Sequence, residues 1–304
     1  MAVADEADQE TTNWGRWGDD DERGALNLLS PEIVLAAAAS VTRGRVYPLG
    51  IPIQPDGVPL LDYRGKPMRL TLQDSTDEGI YDVYGAKPGT GAHEDVMIFA
   101  SHTTSHMDAL IHVYEDGHHY NGVPSGAMKA LGGATRLGIE KVGGFASRAV
   151  LLDMARHFGD PRWVEPGRNI TGADLGAAAD AQGVEVRAGD VVLIRTGYLQ
   201  MWYEQGGETG FAQPGIGLDA ADWLASRDVV AVGSDNAAVE VIPFDENDFL
   251  GVHKVLLVRR GIYMLEFLDL SVPAADESWE GLLAVAPLKV TGATGSPVNP
   301  IFIS

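Results

Sequence analysis

Cysteine is absent from this chain of 304 residues. Its absence excludes disulfides, thiolate zinc sites, iron–sulfur clusters and a cysteine nucleophile. Any metal must then be held by imidazole and carboxylate, a donor set suited to zinc, manganese or iron. Positive charge is also scarce: 22 Lys and Arg stand against 43 Asp and Glu, for a formal charge of -21. A field of that sign repels phosphate backbones, so no nucleic-acid partner is expected. No apolar run reaches the roughly 18 residues that a membrane helix needs, so no membrane partner is expected either. The N-terminal stretch up to Trp14 is acidic and polar. It lacks the basic start and apolar segment of a secretory signal. These absences read as a soluble, cytoplasmic protein.

What is present suggests an α/β fold. Residues 1–13 read as a flexible tail and 14–304 as a single domain, since no repeat or long linker interrupts the chain. Ser30-Pro31-Glu32 opens an Ala-rich helix, with Ser as N-cap and Pro in the first turn, and Gly44 is expected to end it. Residues 50–90, dense in Gly, Pro and Asp, read as loops and short hairpins. Short strands are expected at Glu94–Ser101, Ala149–Asp153, Val191–Arg195, Val229–Gly233, Ile262–Glu266 and Ala284–Val290. Helices are expected from Thr171 to Gln182, stopped by Gly183, over Leu218–Ala225, and over Phe249–Arg260 before Gly261. From about 149 to 270 strands alternate with helices, the pattern of an α/β core.

Three of the eight histidines fall between 102 and 112, in His102-Thr-Thr-Ser-His106-Met-Asp108-Ala-Leu-Ile-His112. His102, His106, Asp108 and His112 share parity, so an extended strand would turn all four to one side. On a helix, His102 and His106 would meet at i,i+4. Thr103, Thr104 and Ser105 disfavour a mid-helix position, so a strand end passing into a loop or helix start is expected. Neutral imidazoles with a carboxylate bind a divalent ion and leave room for water, whose pKa falls towards about 7. A further histidine can carry protons. Later candidates are His253, in an otherwise apolar helix, and Glu266, between apolar residues, where a carboxylate needs a partner or a metal. His118 and His119 follow the turn signal Asp116-Gly117 and read as solvated or substrate-contacting. Ser234, Asp235 and Asn236 read first as a strand-to-turn cap. Trp14, Trp17, Phe99, Tyr120 and Trp202 are candidates for an apolar pocket, and Trp14 and Trp17 could instead dock on a neighbouring subunit.

The run from 102 to 112 resembles the H-x-G-T-H-x-D-x-P-x-H signature of the Putative cyclase superfamily, which includes bacterial kynurenine formamidase and isatin hydrolase. Further segments resemble the family in the same order: Asp116–Gly122, Arg187–Gly197, Val232–Asn236, Gly261–Glu266 and Gly292–Val298. The resemblance implies a compact swivelling β/β/α fold and hydrolysis of an amide, formamide, lactam or ester by metal-activated water. It implies His102, His106 and Asp108 as metal ligands and His112 as the proton-handling catalytic histidine. His253 and Glu266 would join Asp108 around a second ion in some members. Zinc or manganese, one or two ions, and a homodimer or homotetramer are implied with it. Trp14, Trp17, His118 and Tyr120 are taken as candidate substrate contacts. The chain departs from the signature at Thr104, Ser105 and Leu110, where the family has Gly, Thr and Pro. The ligand positions are intact, so the departures bear on loop shape and substrate. Two other readings compete: a non-haem Fe(II) oxygenase with His106, Asp108 and His253 as facial triad, and a non-catalytic metal or small-molecule binding protein.

Overall fold

The computed structural model describes residues 12–207 and 210–304. Most of the expected tail lies outside these residues. Asn13 already belongs to the fold, its backbone N donating to Arg259 O at 2.8 Å and its amide to Arg260 O at 2.9 Å.

Eleven strands carry the argument: β1 (Val46–Pro48), β2 (Met68–Gln73), β3 (Glu94–Ile98), β4 (His106–Asp108), β5 (Phe145–Asp153), β6 (Val191–Arg195), β7 (Ala231–Ser234), β8 (Tyr263–Glu266), β9 (Glu280–Val285), β10 (Gly295–Pro297) and β11 (Ile301–Ile303). Nine of them form one sheet in the order β1-β11-β9-β5-β6-β7-β8-β4-β10, which curls into a half-barrel. The central strands β5 to β8 run parallel, and both flanks are antiparallel. Ala149–Leu152 and Val191–Ile194 are buried throughout. Continuous β-branched and Leu runs of this kind suit parallel strands covered on both faces. Helix Pro31–Ala39 packs on β5, and helices Gly172–Gln182 and Leu218–Ala225 pack on each other.

Locally capped elements follow the sequence closely. Thr171 and Asp174 form a reciprocal capping box, and Gly183 takes φ +69 at the helix end. Ser30 caps Ile33 N, but that helix stops at Ala39, where the Ser40 hydroxyl turns back onto Ala37 O at 2.6 Å. The hydroxyl competes with continued helix, so Gly44 is not the terminator. The segment expected as helix from Phe249 starts at Gly251 and becomes π-helical over Lys254–Arg260. The expected strand Ala284–Val290 is displaced to Glu280–Val285. Pro287 has no N–H for a ladder, and among the described residues the pairing partners lie alongside β5 and β11. The Glu94–Ser101 strand exists as β3, but it pairs with β2 in a separate two-stranded sheet.

Candidate metal centre

β4 lies between β8 and β10, and its register builds the site. His106 is the cross-strand partner of Glu266, and Asp108 that of Gly295. Side chains at 106 and 108 share a face, and Met107 turns into the apolar core on the other. The strand is only three residues long, so shared parity does not unite the whole run. His102 and His112 arrive through turns at either end of it. Thr104 shapes the first turn with φ +46, the left-handed conformation that favours glycine. Gly295 leaves room behind His102: a Cβ there would sit 2.7 Å from the His102 ring.

The candidate ligands converge. His102 Nδ1 lies 2.8 Å from Asp108 Oδ1, and His106 Nε2 lies 3.6 Å from the same oxygen. His106 Nε2 is 3.0 Å from Glu266 Oε2, although not in hydrogen-bond alignment. His253 Nε2, from the helix preceding β8, is 3.7 Å from Asp108 Oδ2 and 3.4 Å from Glu266 Oε1. Two ligand groups result, His102/His106/Asp108 and Asp108/His253/Glu266, sharing the Asp108 carboxylate. His106 and Asp108 are fully buried. Yet His106 Nε2 and Asp108 Oδ2 have no hydrogen-bond partner. Orphaned polar atoms at such depth are costly unless something else engages them. An unpartnered nitrogen and an unpartnered oxygen within one cluster of imidazoles and carboxylates fit a divalent cation.

The electrostatics agree. Burial opposes charge on the His106 and His253 rings, but Glu266 overcomes it at His106, and Glu240 with Glu266 holds His253 up at about 10. Burial alone would raise the Asp108 carboxyl; His112, His102 and His106 instead hold it well below the usual carboxylate range. The cluster therefore favours positive charge, which a metal supplies while displacing those protons. His112 differs. Burial pushes it down to about 3, against the pull of Asp108, so the imidazole is neutral at ordinary pH. Its ring stacks on His102 with centroids 4.0 Å apart.

Several supporting residues escape a reading of the sequence. Glu240 binds His253 Nδ1, which leaves Nε2 for the cluster. It also accepts from Val252 N at 3.2 Å, capping the short helix that carries His253. A lone carboxylate between Val239 and Val241 was the available signal, the same one that marks Glu266. Thr294 reaches His102 Nε2 at 2.9 Å, and Thr104 O receives His106 Nδ1 at 2.8 Å. Arg64 Nη1 donates to His102 O at 2.5 Å. Asp235 accepts from Thr196 N, Thr196 Oγ1 and Gly197 N, so its segment acts as a strand-end cap.

A cavity of about 470 Å³ opens on His112, His253 and Glu266. Tyr63, Trp202, Phe211, Phe244, Phe249 and Phe267 supply its aromatic wall. A roomier cleft of about 640 Å³ around Asp153, Arg195 and Asp269 contains none of the cluster. Of the aromatic candidates, Trp202 reaches the cavity. Trp14, Trp17, His118 and Tyr120 do not line it within one chain. Trp14 donates to Val258 O at 2.8 Å and pins the N-terminal segment to the π-helix. Trp17 packs against the core. Tyr120 is fully buried, with its hydroxyl 2.9 Å from Asp21. His118 is exposed in its turn, whereas His119 is buried and bonded to Val113 O at 2.8 Å. In the competing facial-triad reading, His106 and His253 approach different oxygens of Asp108, at 3.6 and 3.7 Å, and fall in separate ligand groups, and His102 and Glu266 are left without a role. The mixed sheet with helices is not the all-β barrel that reading expects.

The chain belongs to the family described as Putative cyclase, whose model matches residues 33–241. The match thus includes the histidine run and Glu240 and stops before His253 and Glu266. Among solved structures, one titled as a novel cyclase shares 34% identity over 100% of both chains, with a TM-score of 0.87. Isatin hydrolase A from Labrenzia aggregata, bound to benzyl benzoate, has 19% identity and a TM-score of 0.59, covering 87% of this chain and 94% of its own. A structure titled as a predicted metal-dependent hydrolase from Bacillus stearothermophilus has 22% identity and a TM-score of 0.51, covering 85% and 97%. No curated protein sequence matches the chain.

Proposed function

We propose that the protein is a metal-dependent hydrolase that cleaves an amide, formamide, lactam or ester bond in a small cyclic or aromatic substrate. One observation carries the reading: the aromatic cavity ends on a buried imidazole–carboxylate cluster with unpartnered atoms, beside a neutral histidine. His102, His106 and Asp108 would hold one divalent ion, zinc or manganese, and His253 with Glu266 would share Asp108 around another. Such an ion lowers the pKa of water and polarises a carbonyl. His112 lines the cavity as a neutral base. It accepts the proton of the attacking water and returns it to the leaving nitrogen or oxygen. Its stacking on His102 fixes the plane in which that proton moves. The aromatic wall holds a flat substrate and keeps bulk water away. Glu240 keeps His253 in the tautomer that presents Nε2. The isatin hydrolase likeness supports a cyclic amide or related bond. In this reading the protein is cytoplasmic and folds as one domain.

Metal analysis of purified protein should find zinc or manganese. A panel of formamides, lactams and lactones should then identify a cleaved class. Protein loaded with either metal that leaves the whole panel intact would end the hydrolase reading. Oxygen consumption with 2-oxoglutarate would favour the oxygenase instead.

A further inference from the structure

The cavity that ends on the metal centre is walled mainly by apolar and aromatic side chains. Among the described residues, Arg64 is the one lysine or arginine in that wall. It closes the segment Leu60-Leu61-Asp62-Tyr63-Arg64-Gly65. Asp62–Arg64 is a single 3₁₀ turn, with Arg64 N donating to Leu61 O at 2.9 Å and Gly65 leaving it at φ +72. Leu60, Leu61 and Tyr63 line the cavity beside it. The guanidinium bridges 38 positions of sequence, where Nη1 donates to His102 O at 2.5 Å. That bond uses one of the five guanidinium N–H donors and fixes the head of a long side chain. Among the described residues, the other donors meet no acceptor and no carboxylate. The chain carries 43 acidic residues against 22 basic ones, and its other well-packed arginines end on them. Arg148 pairs with Asp190, Arg195 with Asp153 and Arg259 with Glu115. Arg64 does not.

Gln213 adds a second free donor to the same wall. Its Oε1 accepts from Ala237 N at 2.9 Å, which fixes the orientation of the amide. Its Nε2 has no hydrogen-bond partner among the described residues, although the residue is buried. A cavity with aromatic walls and unused donors suits a flat ring that carries acceptors. We infer that the substrate of the proposed hydrolase bears a carboxylate on its aromatic or cyclic body and that Arg64 binds it, an assignment that rests on the hydrolase reading. Two neighbouring N–H groups of a guanidinium match the two oxygens of a carboxylate. The bond to His102 O holds the guanidinium in place beforehand, so less rotamer freedom is lost on binding. With a divalent ion bound, the carboxylates of Asp108 and Glu266 are balanced and do not repel the anion. The net charge of -21 is screened beyond about 8 Å at physiological ionic strength, so the local cation governs binding in the cavity.

Calorimetric titration of the metal-loaded protein compares benzoate with benzamide, the same ring with and without the charge. The wild type should bind benzoate more tightly. Arg64→Gln should weaken benzoate binding by about 10–100-fold and change benzamide binding by less than about twofold. Arg64→Lys keeps the charge without the fork, so its benzoate affinity should fall between the two. Metal content after dialysis should be equal in all three proteins. The wild type gives a second reading that needs no variant. Phenylglyoxal labelling of Arg64, mapped by mass spectrometry, should be slowed by benzoate and not by benzamide. Equal weakening of both ligands, or loss of metal with Arg64→Gln, would make Arg64 a support for the His102 turn and overturn the inference. Unchanged benzoate binding in Arg64→Gln, or labelling indifferent to benzoate, would overturn it as well. Binding is read here without turnover. Selection of benzoate through Arg64 by a protein that cleaves nothing would end the hydrolase reading alone. Cleavage without that selection would end the carboxylate assignment alone.

Discussion

The metal centre and the β2–β3 hairpin invert the usual distribution of side chains in opposite directions. At the centre, His106 and Asp108 are fully buried. On the hairpin and its connection, Leu72 and Tyr84 stand in water. Both inversions cost free energy, the first through desolvated polar atoms and the second through unburied apolar area. A stable fold carries such costs where something outside the chain relieves them. At the centre that relief has the chemistry of a cation.

Asp108→Ala should break the first half of this comparison most completely. Asp108 is shared by both ligand groups, so metal affinity should fall at least about 100-fold, read by metal content after dialysis. A variant that keeps its metal would remove Asp108 from the ligand set. His112→Ala should separate binding from chemistry: metal content unchanged and turnover down by about 10²–10⁴-fold. An equal loss of metal would make His112 a ligand and end its role as proton carrier. Glu240→Gln should weaken metal binding by about 10–100-fold without changing which ions bind, as measured by competition with a chelator. Thr104→Gly should have the smallest effect. Relief of the left-handed conformation exceeds the added flexibility of the unfolded chain only slightly, so stability should rise by up to about 1 kcal/mol in chemical denaturation. A loss of stability there would mean that the buried Thr104 methyl packing outweighs the backbone strain.

Legibility in the sequence follows the range of the interaction. Thr171 with Asp174 and Gly183 bound their helix by contacts within a few residues, so the pattern suffices. Val191–Arg195 reads correctly because a strand buried on both faces has no alternation to misjudge. Ala284–Val290 reads as apolar and extended, but a strand exists only where a neighbour offers its ladder, and the neighbouring β5 ends at Phe145, opposite Val285. Residues 50–90 read as loops and short hairpins, and β2 at Met68–Gln73 is one strand of such a hairpin with β3. The density of Gly, Pro and Asp around it favoured loops, and Met68, Leu70 and Leu72 are exposed.

The sequence by itself determined the donor chemistry: no thiolates, three histidines and an aspartate packed into one short run, and a signature that placed the chain in its family. The family resemblance, not the spacing, implied that His112 handles protons beside the ligands. Only the tertiary structure decided that Glu266 sits opposite His106, that His253 faces Asp108, and that Glu240 stands behind His253. Those positions are set by strand register and by a π-helix packed on the sheet, and neither leaves a mark in local spacing. The same holds for Trp14 and Tyr120. Their residue type suits a pocket, but hydrogen bonds to Val258 and Asp21 far along the chain assign them to the scaffold.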